Sequence, residues 1–134
     1  MAEVTVTRLV THAELVERDS TRRRLSVSAR LAAELSDGRR VVLLDDRGWS
    51  ASLSGAGDVG AYTTVEDVAE VARTVVGPDE PIAERGETQA GMAADHWGFL
   101  AERLARHGVT VDGPALERAP HDVVLSARLR ARLA

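Results

Sequence analysis

Between Arg24 and Leu35, in the stretch RLSVSARLAAEL, apolar residues occupy every second position: Leu25, Val27, Ala29, Leu31, Ala33 and Leu35. A period of two marks a strand that buries one face, because successive side chains of a pleated strand point to opposite sides. Asp37-Gly38 follows at once, and this dipeptide suits the type I′ turn of a two-residue hairpin, whose central positions both need positive φ. Such a turn sets Ser36 opposite Arg39, and so pairs Leu31 with Leu44, Ala33 with Val42 and Arg30 with Asp45. A second tight turn at Arg47-Gly48 then sets Leu44 opposite Ala51 and Val42 opposite Leu53. Three consecutive strands share one apolar face in this register, and a slip of one residue would send the whole set to the other side.

Further along, the period changes to that of helices. TTVEDVAEVARTVVGP predicts a helix over 64–76, with Thr63 and Glu66 as a capping box, Val65, Val68, Val71, Ala72, Val75 and Val76 as its apolar stripe, and Gly77-Pro78 as its stop. A second helix is expected over 88–107, ended by Gly108, with Ala93, Trp97, Leu100 and Leu104 on its buried line and Met92 and Phe99 beside it. Pro114 suits a short helical turn, and Pro120 the start of a last helix over 120–133, with His121 and Asp122 in its first turn. The predicted class is α+β: an antiparallel meander of three to five strands over residues 3–54, a glycine-rich loop over 55–62, and about three helices on one face. Val4 to Leu9 is a further expected strand. A length of 134 residues with 44% apolar content suits one domain.

Charge and composition narrow the partners. The net charge of −4 argues against a general nucleic-acid binder, which has to neutralise several phosphates. All 17 basic residues are arginine, and lysine and asparagine are absent, as the codon bias of a GC-rich bacterial genome would produce. Without cysteine, thiolate metal sites, disulfides and cysteine nucleophiles are excluded. No leader pattern or membrane-length apolar run is seen, so the expected location is cytoplasmic, with no membrane partner.

Four groups of residues carry candidate chemistry. Asp45 and Asp46 are adjacent on a strand and diverge, which removes the geometry of a carboxylate pair. Gly55, Gly57 and Gly60 spell G-x-G-x-x-G, but the preceding strand belongs to an antiparallel meander and Asp58 sits where phosphates would go, so a surface loop is favoured. His96 lies at the margin of a helix's apolar stripe; with Trp97, Trp49 and His121 it forms a candidate pocket for a small-molecule binder or enzyme, the alternative function. The four histidines show no ligand spacing, so neither a metal nor a cofactor is expected, and no catalytic residue is assigned. The favoured expectation is a non-catalytic binding or regulatory module. It would meet a protein partner, or a second copy of itself, through an outer sheet face of Ser26, Ser28, Arg30, Leu43 and Ser50, or through the acidic middle of the chain.

Overall fold

The computed structural model describes residues 3–55 and 57–134; Ala56 of the glycine-rich stretch lies outside the described residues. Four strands, β1 (Val6–Leu15), β2 (Arg24–Leu35), β3 (Arg40–Ser52) and β4 (His121–Leu125), form one sheet in the order β3-β2-β1-β4. With them come four α-helices among the described residues: α1 (Val65–Val75), α2 (Gln89–Ala105), α3 (Gly113–Glu117) and α4 (Ala127–Arg132). The fold is α+β. Val16 N–H donates to Ser26 O and Ser36 N–H to Thr5 O, so β1 and β2 run antiparallel. Leu9 N–H donates to Pro120 O and Ser126 N–H to Ala13 O; both numbers rise together, so β4 lies parallel to β1. The sheet is therefore mixed rather than purely antiparallel.

The β2–β3 turn differs from the expected one by a single residue, and the consequences run along the strand. Leu35 N–H donates to Arg39 O (2.9 Å), Gly38 N–H donates to Leu35 O (3.0 Å), and Gly38 alone takes a left-handed conformation, φ +89°. This is a three-residue turn with a glycine bulge, and it moves the facing partner of each β2 residue by one. The Asp37 carboxylate accepts from the Arg39 backbone N–H (3.0 Å) and from Arg39 Nε (2.7 Å), which favours this geometry. Val41 and Leu43 consequently turn inward and Val42 outward, the reverse of the expected assignment; Leu43 is 0% exposed and Val42 44%. No turn forms at Arg47-Gly48, where β3 runs straight on. Gly48 is there because β2 passes close: a Cβ would stand 2.6 Å from Val27 O. The alternation lapses instead at buried Leu44 and exposed Asp45 and Asp46, and the expected Arg30–Asp45 ion pair is not made among the described residues.

The chain is organised as two compact units. The first takes the segment up to Val10, Leu31–Leu43 and Gly77–Asp122. Its fully buried leucines include Leu9, Leu31, Leu43, Leu100, Leu104 and Leu116. Each such side chain contributes roughly 1.5–3 kcal/mol by leaving water. The Thr88 hydroxyl caps α2 by accepting from Gly91 N–H (3.0 Å). Helix α3 approaches α2 backbone to backbone, since a Cβ on Gly113 would lie 3.1 Å from Gly98 N. Arg103 Nη1 donates to Leu43 O (2.8 Å) and stacks over the Phe99 ring at 5.0 Å. Phe99 is consequently a half-exposed partner of an arginine and not a core residue.

The second unit takes Thr11–Arg30, Leu44–Val76 and Val123–Ala134. Leu25, Val27, Val59, Val68, Ala72 and Leu129 lie at its core, with Trp49 and Leu53 packed against them. Thr64 and Asp67, not Thr63 and Glu66, make the reciprocal cap of α1. The expected helix over 120–133 is a strand followed by a short helix. Val123, Val124 and Leu125 include two β-branched residues and find a strand partner in β1; Ser126 then caps α4 by accepting from Leu129 N–H (3.2 Å).

Two glycine substitutions separate contact from propensity. Gly60→Ala drives a Cβ into the carbonyl of Arg132. It is expected to cost about 1–3 kcal/mol, as overpacking does. Gly98→Ala meets nothing within 4 Å inside α2, and is expected to stabilise by roughly 0.5–1 kcal/mol through helix propensity. Urea denaturation at neutral pH reads both.

Candidate functional site

Even-numbered strand residues of the first unit carry a charge network that spans all four strands. Arg40 Nη2 donates to Glu34 Oε2 (2.6 Å), Arg8 Nε pairs with Glu34 Oε1, and Arg8 Nη1 donates to Asp122 Oδ2 (2.5 Å). In sheet order the row reads Arg40, Glu34, Arg8, Asp122, alternating in sign. Arg8 first, and Arg40 second, hold the Glu34 carboxyl below its ordinary range. Asp122, expected at a helix start to complement the dipole, instead closes this row from β4.

The second unit presents the serine-lined surface. Helices α1 and α4 pack on the side of the odd-numbered residues Leu25 and Val27. Ser26 and Ser28 on the other side are half-buried, while Arg30 and Ser50 are exposed, and Arg24 Nη2 reaches Ser50 Oγ at 3.4 Å. Val124 of β4 also belongs to this unit and is 45% exposed. Leu43, expected on this surface, lies in the other unit and is fully buried by the register change described above.

The residues expected to form a pocket are divided. Trp49 packs on the core of the second unit, whereas His96, Trp97 and His121 belong to the first. His96 and Trp97 meet edge to face at 5.0 Å. A groove of about 350 Å³ does run between α2 and α3, lined by Ala90, Ala93, Ala94 and Trp97 on one side and Pro114 and Glu117 on the other. Neither His96 nor His121 lines it, and it is not a pocket between helices and sheet. No group of three or more His, Asp or Glu side chains is placed to hold a metal among the described residues. None of the helices described is long and apolar enough to cross a membrane.

Around the glycine-rich loop the surroundings are richer than the motif. Asp58 Oδ1 accepts from Gly60 N–H (3.0 Å) and from Arg132 Nη1 (2.8 Å), and these bonds, Arg132 foremost, lower its pKa. Arg132 Nη2 also donates to Thr21 O (2.6 Å). Reading Arg128, Arg130 and Arg132 on one long helix hides this, because their meeting with residues 17–24 is a tertiary event. Compared with protein-family models, curated proteins and solved structures, the chain matches none.

The charged row has a pH signature. Glu34 is held in its ionised form in the folded protein. Its stabilisation is therefore complete above the unfolded carboxyl pKa of about 4.3 and is lost as pH falls through the lower folded value. Glu34→Gln is expected to lower the thermal midpoint at pH 7 and to flatten its decline below pH 5, measured by circular dichroism across that range.

Proposed function

We propose that the protein is a small non-catalytic binding module that meets a protein partner through the serine-lined sheet face of its second unit. The observation that carries this reading is the set of half-buried Ser26 and Ser28 with exposed Arg30 and Ser50 on the side away from α1 and α4, in a unit that also leaves Val124 45% exposed. Small hydroxyls lose little side-chain entropy on contact and supply both donors and acceptors. An exposed arginine and a half-exposed valine add a charged fork and an apolar seat. On this reading the protein is a bacterial, cytoplasmic regulator. The partner is a different protein or a second copy of the chain.

A photo-crosslinking residue at position 28 tests it in producing cells. A discrete crosslinked species is expected from position 28 and not from position 66 on the helical side. Ser28→Arg, with the crosslinker moved to position 50, is expected to abolish that species. Equal crosslinking from positions 28 and 66, or none from 28, overturns the reading.

The groove between α2 and α3 supports a second reading, a small-ligand binder with the Trp97 indole as its apolar wall. Its size falls within the range of small-molecule sites. A ligand there would change Trp97 emission in a Trp49→Phe background, while the same ligand would leave Gly98→Trp, which fills the groove, unaffected.

A further inference from the structure

The second unit gathers three segments that are far apart in the chain. Arg132 bridges Thr21 O and Asp58 Oδ1, Val59 N–H donates to Arg22 O (2.6 Å), Ala134 N–H donates to Thr63 O (3.0 Å), and Arg128 Nη1 pairs with Glu17 Oε2 (3.1 Å). Residues 17–24, 57–63 and 126–134 are thereby knitted into one local surface. Together these segments hold seven arginines against three carboxylates, a side-chain charge of +4 in a chain whose total is −4. Three of the carboxylates are already engaged: Glu17 with Arg128, Asp19 with Arg18 and Asp58 with Arg132. Arg22, Arg23 and Arg130 are exposed and carry no ion pair among the described residues. One of these segments carries Tyr62, 75% exposed, one short turn after Asp58.

We infer that this surface, Tyr62 with Arg22, Arg23 and Arg130, docks a short acidic segment of a partner protein. Exposed arginines outside any salt bridge and an exposed tyrosine on one local surface are residue types that carry much of the energy at protein interfaces: a planar charged fork for carboxylates and a rigid amphipathic ring. The positive charge steers an acidic segment on approach. A long nucleic acid fits less well. With +4 gathered here, the rest of the chain carries −8, and a polyanion extending beyond the patch would meet that repulsion, whereas a short peptide ends before it. The engaged carboxylates matter too: Asp58 would oppose an anion were it free, and its pairing with Arg132 and the Gly60 N–H removes most of that opposition. This surface adjoins the serine-lined face at Arg24, which reaches Ser50, but Tyr62, Arg22, Arg23 and Arg130 are not part of that face and the inference does not rest on it.

The test uses fluorescein-labelled octaglutamate and a labelled oligothymidylate of matching charge, each titrated with the whole protein at low salt and read by anisotropy. Octaglutamate is expected to bind saturably and more tightly than the oligonucleotide. The double variant Arg22→Ala/Arg130→Ala is expected to weaken it about tenfold or more, close to 1.4 kcal/mol. Tyr62→Ala is expected to weaken it several-fold, and Arg85→Ala, in the other unit, to leave it unchanged. Both arginine side chains are exposed and make no salt bridge among the described residues, and the circular dichroism spectrum of the double variant is expected to match that of the parent protein. The absence of saturable peptide binding, equal or tighter binding of the oligonucleotide, or peptide binding that survives the double variant each overturns the inference.

Discussion

The structure depends on one constraint: the odd-numbered face of β2 must be buried along its whole length. Leu25, Val27, Ala29, Leu31, Ala33 and Leu35 are all 4% exposed or less. The first three belong to one compact unit and the last three to the other, so a single twelve-residue strand supplies core residues to both. No other element does this so completely. Flipping β2 would expose six apolar side chains at once, a loss far beyond the marginal stability of a small protein.

With the odd face committed to the core, charge is confined to the even face, and there it is ordered. In the first unit Arg40, Glu34, Arg8 and Asp122 satisfy one another across four strands. In the second unit serines and Arg30 take the corresponding side of β2, and among the described residues no equivalent network of salt bridges ties them together. The contrast bears on function. A face whose charges are mutually engaged presents little for a partner to gain, whereas small hydroxyls and an exposed guanidinium outside such a network offer bonds that replace water at low cost.

The arginines of the second unit follow the same logic at a different place. Each side-chain carboxylate in the three converging segments has a guanidinium in a salt bridge, while Arg22, Arg23 and Arg130 are exposed, as is Tyr62. Gly60 has a clear packing reason in this arrangement, since the chain end carrying Arg132 passes directly over it. A motif that spells a phosphate loop is better explained as the seat for a C-terminal helix.

What the amino-acid sequence determined by itself was local: the period of β2, the main lines of the stripes of α1 and α2, and the need for a turn at Asp37-Gly38. These depend on interactions within a few residues, and they are legible for that reason. The tertiary structure decided the rest. Whether Asp37-Gly38 closes a two- or three-residue turn is a small local difference, yet it fixes whether Val42 or Leu43 is buried, and the packing of β3 joins the Asp37–Arg39 bonds in selecting between them. Gly48 looked like a turn residue because its real cause, the passage of Val27 O within reach of any Cβ, comes from another strand. His121 to Leu125 resembled the start of a helix because Pro120 suits one, and β1, more than a hundred residues away, made it a strand. The same holds for the candidate sites. The serine face follows from β2's period alone. The gathering of Tyr62's segment with the arginine-bearing segments 17–24 and 126–134 depends on hydrogen bonds from Arg132 to Thr21 and Asp58, which no local pattern encodes.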